Sequence, residues 1–539
     1  MNCFSRKGLT VHIMRGSSFL YLIAIAVSLG FSYPAVSQTE SKVVGNQRTK
    51  PLNVIYMMAD DMGYADVTAF GGRFGYTPNI DRLAGMGMMM TEFYSACAVC
   101  SPTRAAFLTG RYPLANGIDG HFPDRAGVFL RDQTRPDGGA GTLPGMLREL
   151  GYRTMHVGKW HLGGVTVEEL RHRRSGRGEF ADSQGPHEHG FDAYFISQED
   201  ASTGVRSGLI RSQTLYQKAA QHLVHNDAYK HDPDEQRDWT RFKGDVAVDF
   251  IADMTAKKQP FFLNLWFDVP HTPFEDDHVP PSFHFDTLHK QMDQQLGRKA
   301  HVLNPGLKNE RQRENHRRFL SMVTYMDHQV GRVMKAVDDP NGDGDTSDSV
   351  ADHTLIIFTS DNGGAWPADN GPFSSGKACV REGGLRVPMI AALNGEIEAG
   401  SRSDQVGNTI DFMPSILRMA GLQRLPDGVT TDGIDLSPVW LGQTRAIDRG
   451  VMFSDLRAVY RPQRYGPKPE PTGYLIARRG GLKLIFESKD SVKPIALYDL
   501  RKDPGEKSNL INQSTSFEII EELTEAAQSW VESIRSGSP

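Results

Sequence analysis

Cysteine is scarce, with 4 in 539 residues at Cys3, Cys97, Cys100 and Cys379. So few thiols exclude a disulfide framework, which belongs to small secreted domains with inadequate cores. A chain this long buries a sizeable core without staples, so each cysteine needs its own reason. An excess of one charge is lacking too. Lys and Arg number 60 against 65 Asp and Glu, a formal net charge of −5, and no global field recruits nucleic acid or an anionic membrane. Any anionic ligand must be handled locally. Long apolar runs are also missing. The one candidate, residues 19–31 behind Arg6, Lys7 and Arg15, is too short and too punctuated by Ser and Gly for a membrane span. Ala35-Val36-Ser37 before Gln38 offers the small residues of a cleavage site. Residues 1–37 therefore read as a secretory signal peptide, with export to periplasm or medium and no stable membrane insertion after its removal; an uncleaved anchor is the alternative. Internal repeats and low-complexity tracts are absent as well.

What the chain does contain is alternation. Residues 38–50 are polar and read as a linker. From there to residue 445 extends the expected catalytic domain, in which four short apolar runs recur: 53–59 (NVIYMMA), 153–157 (RTMHV), 261–267 (FFLNLWF) and 354–359 (TLIIFT). Rich in β-branched or aromatic residues and without helical spacing, each suits a buried parallel strand. Helical periodicity occupies 143–150, 244–254 and 319–337. The pattern predicts an α/β fold, a large mixed, mostly parallel sheet sandwiched by helices. The His-, Arg-, Gly- and Ser-rich region 168–241 reads as an insertion or loop layer over that sheet, where substrate-selecting residues would sit. Beyond 446 the texture changes to strand-like pieces at 450–453, 473–477, 482–486 and 495–498, then an amphipathic helix at 518–534. This predicts a smaller C-terminal α+β subdomain, an antiparallel sheet plus helix.

The residues that follow each apolar run carry the chemistry. The first run ends in Asp60-Asp61, the second in Lys159 and His161, the third in His271, the fourth in Asp361-Asn362. In an open parallel sheet ligands bind at the carboxyl ends of strands, so these clusters would share one crevice. Singly, each has a plain structural reading: paired Asp as a cap, Asp-Asn-Gly-Gly as a turn, Lys159 and His161 as a solvated edge, His271 as a loop residue between prolines. Together, Asp60, Asp61, Asp361 and Asn362 supply carboxylate and amide oxygens, a hard-ligand set suited to Ca2+ or Mg2+ and poorly to Zn2+. Calcium is preferred because these oxygens make a largely protein-built cage, whereas magnesium keeps more of its waters. A cation ringed by Lys159, His161 and His271 stabilises charge on a tetrahedral oxyanion ester, so a sulfate or phosphate ester is the expected substrate.

Cys100 precedes Ser101-Pro102 and an apolar segment ending at Gly110, the Pro-first, Gly-last asymmetry of a helix. It thus sits at a helix N-terminus, where N–H groups and the dipole favour an anion, with Arg104 one turn on. The Cys97-x-x-Cys100 spacing permits a redox pair, although a βαβ redox context is missing, and an inert buried thiol is the other reading. Neither explains soft sulfur beside a hard-oxygen cation site; conversion of the sulfur to an oxygen nucleophile does. A second acidic cluster, Asp339-Pro340-Asn341-Gly342-Asp343-Gly344-Asp345, resembles half an EF-hand loop, but its twelfth position is Val350. An ordinary acidic turn is preferred there to a second calcium site.

Cys100-Ser101-Pro102-Thr103-Arg104, with the following residues to Arg111, resembles the signature of the type I, formylglycine-dependent sulfatases of the alkaline-phosphatase-like superfamily. The resemblance extends to Asp60-Asp61, 158–163 (GKWHLG), Pro270-His271, 360–363 (SDNG), Lys377, 497–500 (LYDL) and Asp503-Pro504-Gly505-Glu506, in the family's order. It implies a sulfuric ester hydrolase in which Cys100 is oxidised to formylglycine by a formylglycine-generating or sulfatase-maturing enzyme. It further implies a gem-diol held on Ca2+ by Asp60, Asp61, Asp361 and Asn362, with Asp361 accepting a proton as a diol oxygen attacks sulfur. On the same resemblance Arg104 and Lys159 hold diol and sulfate oxygens, His271 and Lys377 stabilise or protonate the departing alcohol, and His161 takes the second diol proton. The implied substrates are sulfated carbohydrates or aryl sulfate esters. Two rivals stay open: a phosphoester or phosphonate hydrolase of the same superfamily, and a non-catalytic glycan-binding relative should Cys100 go unmatured.

Overall fold

The computed structural model describes residues 50–118, 141–162, 185–199, 206–211, 238–274, 279–288, 303–456, 474–488 and 491–536. The expected signal peptide, the linker up to residue 49 and most of 168–241 lie outside the described residues. In chain order the strands are β1 (Asn53–Ala59), β2 (Met88–Met90), β3 (Phe93–Tyr94), β4 (Arg153–Lys159), β5 (Ala193–Glu199), β6 (Arg206–Arg211), β7 (Phe261–Trp266) and β8 (Thr354–Ser360). They continue with β9 (Met389–Ala392), β10 (Ser401–Ser403), β11 (Gly407–Asn408), β12 (Met452–Asp455), β13 (Leu475–Arg479), β14 (Leu482–Phe486) and β15 (Pro494–Asp499).

The main sheet has the order β10-β2-β9-β8-β1-β7-β4-β5-β6, and β3 pairs separately with β11. The four runs read from the sequence are its contiguous centre, β8-β1-β7-β4, paired in parallel throughout. β9 runs against β8 and β6 against β5, which makes the sheet mixed. Strands buried on both faces must be apolar on both, and β1 is buried along its whole length. Ile55, Met57 and Ala59 pack with Val246 and Phe250 of the helix Trp239–Ala256 and with Phe319 and Val323 of the helix Glu310–Asp338. On the opposite face Val54, Tyr56 and Met58 pack with Phe107 of the helix Cys100–Thr109, Leu143 of the helix Leu143–Glu149 and Phe412 of the helix Phe412–Met419. At about 1.5–3 kcal/mol per fully buried side chain, these two layers are the main source of the fold's stability.

Two helices are longer than their periodic cores. Trp239–Ala256 and Glu310–Asp338 begin where the Asp238 and Asn309 side chains accept the N–H groups of Arg241 and Gln312, so their polar first turns rest on caps that periodicity does not mark. The region 168–241 is not wholly a loop layer. Within it β5 pairs in parallel with β4 from Met155 to Lys159. Its apolar core is short and runs into Ser197-Gln198-Glu199, so it is the open edge of β4, more than composition, that makes it a strand.

β12-β13-β14-β15 form an antiparallel sheet. On one face Leu475, Ala477, Leu484 and Phe486 receive Leu523, Ala527 and Val531 of the helix Phe517–Ser536. The other face, with Ile476, Ile485 and Ala496, packs on Cys97, Ala98 and Val99 and on Ala378 and Val380. It therefore backs two segments that lead into the site. In the acidic loop Asp339 accepts the N–H groups of Gly342 and Gly344, and Asp343 and Asp345 accept those of Asp345 and Ser347, which is the bonding of a turn. Among the described residues no helix is long and apolar enough to cross a membrane.

Candidate active site

Strand register gathers the site. Backbone pairing continues past the strands, Asp361 N–H to Ala59 O at 3.1 Å and Asp60 N–H to Val269 O at 3.2 Å, so the ends of β1, β8 and β7 are locked side by side. Asp61 takes a left-handed turn (φ 66°), a conformation Asp tolerates better than most residues. Its N–H donates to Asp361 Oδ1 at 3.2 Å.

Cys100 opens its helix after an extended Val99, and the helix stops at Gly110 in the left-handed region (φ 65°). Its Sγ is fully buried, 3.5 Å from Asp60 Oδ1 and 3.3 Å from Lys377 Nζ. Burial, and next the Asp361 carboxylate, push the thiol well above its ordinary pKa, with Lys377 opposing. Cys100 is therefore a neutral thiol here. It is not bonded to Cys97, whose Sγ donates to Asp455 O at 3.1 Å.

Around the sulfur, charges alternate. Arg104 uses every guanidinium nitrogen: Nε and Nη2 reach Asp361 Oδ2 at 3.2 and 2.6 Å, and Nη1 donates to Lys159 O at 2.9 Å. Nη2 also lies 3.3 Å from Asp60 Oδ2, and the Trp266 ring covers the guanidinium at 5.0 Å. This is the forked, stacked placement that Lys cannot reproduce. Lys159 Nζ is 2.5 Å from Asp60 Oδ2, and Lys377 Nζ is 2.6 Å from Asp61 Oδ1. Half-buried His271 sets Nδ1 2.6 Å from Thr272 O and Nε2 3.5 Å from Asp61 Oδ2; the carbonyl requires an N–H at Nδ1, which leaves Nε2 to gain or lose the proton. Burial alone would raise Asp60, but Lys159, His271 and Arg104 hold it well below the usual carboxylate range. Asp361 goes the other way, pushed up to about 6 by burial and by Asp60, which Arg104 only partly offsets. These contacts bring Asp60, Asp61, Cys100, Arg104, Lys159, His271, Asp361 and Lys377 together, and His161 stands at the exit from β4 with left-handed backbone (φ 55°).

The donors fit a hard cation. Ligand atoms of Asp60, Asp61, Cys100 and His271 all lie within 4.8 Å of one another. Asn362 Nδ2 donates to Asp61 Oδ1 at 2.9 Å and to Gly363 O at 3.0 Å, while its buried Oδ1 has no hydrogen-bond partner among the described residues. A buried amide oxygen left unpaired on a residue bonded to a carboxylate is a group to which Ca2+ or Mg2+ can supply the missing partner. Sequence reasoning left His271 out of the metal set, and it overlooked Lys243 and Asp268, buried and 2.5 Å apart behind His271. Lys243 interrupts the apolar stripe Val246, Phe250 and Met254 of its helix, a pattern that could have flagged it.

A family model described as Sulfatase matches residues 52–422, and one described as N-sulphoglucosamine sulphohydrolase, C-terminal, matches 374–532. The N-acetylgalactosamine-6-sulfatase of Rattus norvegicus is 31% identical over 427 residues, covering 75% of this chain and 68% of that protein. The enzyme of the same name from Canis lupus familiaris is 28% identical over 528 residues, covering 91% and 88%. Among solved structures, Ps i-CgsB in complex with k-i-k-neocarrahexaose matches with a TM-score of 0.63 at 25% identity, covering 89% of this chain and 93% of that one. With the Sulfatase match running through every strand of the main sheet and through all the residues gathered around Cys100, the chain belongs to the sulfatase family and is a sulfuric ester hydrolase.

Proposed function

We propose that this sulfatase is exported and hydrolyses sulfate monoesters on carbohydrates, using a formylglycine that a maturing enzyme makes from Cys100 and a Ca2+ held by Asp60, Asp61, Asp361 and Asn362. One observation carries the reading: a fully buried sulfur lies 3.5 Å from Asp60 Oδ1, inside a set of hard oxygen donors. Soft sulfur suits that company badly, whereas oxygen on the same Cβ suits it well. The carbohydrate class is supported by two relatives named N-acetylgalactosamine-6-sulfatase and by a solved relative that holds a neocarrahexaose.

When present, the cation neutralises sulfate oxygens and the hydrated aldehyde supplies an oxygen nucleophile. Arg104, spent on Asp361, Asp60 and the Lys159 carbonyl, orients the carboxylates. Asp361 accepts the nucleophile's proton at Oδ1, the oxygen that Arg104 does not hold. Lys159 binds sulfate oxygens, and Lys377, 3.3 Å from Cys100 Sγ, stabilises the departing alcohol together with His271. His271, its ring fixed through Nδ1, donates from Nε2 to the departing alcohol. His161 serves as a second proton acceptor.

Intact mass reads the modification as a loss of about 18 Da for exchange of thiol for aldehyde. On an aryl sulfate and a panel of sulfated saccharides, Cys100→Ser is expected to lose turnover by about 10³-fold or more, because a serine sulfate lacks the easy exit by elimination. Multiple turnover by that variant, an unmodified mass in fully active protein, or a faster reaction on the matched aryl phosphate would overturn the reading.

A further inference from the structure

Lys377 lies within an irregular segment, 374–382, yet its Nζ is placed 2.6 Å from Asp61 Oδ1 and 3.3 Å from Cys100 Sγ. A flexible four-carbon stem keeps such a placement only if the backbone beneath it is fixed. Part of the fixing is local. Lys377 N–H donates to Gly364 O at 3.2 Å, Ala378 N–H to Ala98 O at 2.8 Å, and Gly383 N–H to Ser374 O at 2.9 Å. Ser375 and Ala378 have φ of 65° and 63°, a conformation that residues with a Cβ hold only where the surroundings impose it.

The rest comes from the far end of the chain. Glu506 Oε2 accepts Ser374 Oγ at 2.7 Å and the Glu382 N–H at 2.8 Å, so one carboxylate oxygen ties both ends of the segment. The Glu506 carbonyl accepts Arg381 Nη1 at 2.9 Å. Lys483 Nζ lies 3.0 Å from Glu506 Oε1 and 2.9 Å from Glu382 Oε1, and Glu382 Oε2 accepts the Tyr94 hydroxyl at 2.7 Å. All three charged groups are buried. Apolar residues of similar volume would often stabilise such a region as well or better. What the ions add is a fixed geometry for the segment between Ser374 and Glu382.

We infer that Glu506 is a positioning residue for hydrolysis: by clamping Ser374 and Glu382 it sets the backbone from which Lys377 reaches Asp61 and Cys100. The inference rests on the use of Lys377 in the sulfate-ester chemistry proposed above. It gives the loop after β15 a part in the reaction without contact to substrate.

A double-mutant cycle on the matured enzyme tests it, with kcat for an aryl sulfate, Tm and crystal structures as readouts. Glu506→Gln keeps an acceptor but loses the charge facing Lys483, and Ser374→Ala frees one end only. Glu506→Gln is expected to lower kcat about 10- to 100-fold, Ser374→Ala by less, and KM to change less than kcat. In a Lys377→Met background the same substitutions leave kcat within about twofold, because the group they place is gone, while Tm falls as before. The Glu506→Gln crystal should have Lys377 Nζ displaced from Asp61. Additive losses in the cycle, or an unmoved Lys377, overturn the inference; should Glu506→Gln fail to fold, Ser374→Ala carries the same comparison. An inactive wild type with a mature residue 100 would instead overturn the sulfate-ester reading, and the crystal comparison would still judge the clamp.

Discussion

At the scale of residues, Asp60, Asp61 and Asp361 are set against Arg104, Lys159 and Lys377, and the formal charges of these buried groups cancel. A divalent cation bound to the carboxylates therefore leaves the site positive, which suits an anionic ester and raises its encounter rate. Asn362 Oδ1 has no competing partner among the described residues, while Nδ2 holds Asp61 and Gly363 O, so the side chain should contribute to the cation directly and through Asp61. Ca2+ at about 100 times its Kd should stabilise the protein by about 2.7 kcal/mol, about 3 °C in Tm for a chain this long. Asn362→Leu should lose most of that shift, and chelation should abolish turnover until Ca2+ returns. An equal Ca2+ shift in wild type and variant would place the ion elsewhere. The gathering of Asp60, Asp61, Asp361 and Asn362 was legible because each pair directly follows an apolar run, where strand direction fixes the crevice. Lys377 was not: it lies in an irregular segment, and only the resemblance singled it out. Glu382 and Lys483 gave no sign at all, and Glu506 stood out only within the resemblance and without a role, because the burial of a charge depends on partners as far away as the 124 residues that separate Glu382 from Glu506.

Among elements, legibility followed burial sustained over five or more residues. β1, β4, β7 and β8 lie side by side in the centre and are covered on both faces, which forces an apolar composition. β2, β9 and β10 are short, and β2 is three methionines one residue after the helix Pro78–Met86. Their identity as strands comes from sheet edges already formed. A similar dependence holds the helix Pro78–Met86, whose Thr77 makes no side-chain cap bond. Its cap is borrowed from Asp327 of the helix Glu310–Asp338, which accepts Asn79 N–H at 3.0 Å, Ile80 N–H at 2.8 Å and Asn79 Nδ2 at 2.8 Å. Asp327→Ala leaves those donors unsatisfied at a buried helix end and should cost about 2–3 kcal/mol, with Asp327→Asn costing less. The measurement is the urea midpoint at unchanged m; an Ala variant as stable as wild type would mean that the two helices do not depend on this contact.

For the whole molecule, the layers that make the sheet invisible to solvent also bury histidines as neutral groups. His316 is fully buried, with neither ring nitrogen hydrogen-bonded among the described residues and its ring edge-on to Phe74 at 5.6 Å. Burial lowers its pKa to about 4, and it does the same to His189, whose ring lies against Trp160. In the unfolded chain each titrates near 6.5, so between about pH 6.5 and 4 the unfolded state binds a proton that the folded state refuses. Stability from these groups is complete above pH 6.5 and is lost as the pH falls towards 4, by about 1.4 kcal/mol per pH unit for each histidine. His316→Phe keeps an aromatic ring against Phe74 and removes the titration. Its unfolding free energy should therefore fall less than that of wild type between pH 7 and pH 4.5, by about 2.4 kcal/mol. Parallel urea titrations at the two pH values read the difference directly. Identical acid slopes in the two proteins would mean that His316 gains a proton while folded, and the acid sensitivity of the fold would then have to be sought among the carboxylates of the ion-paired site.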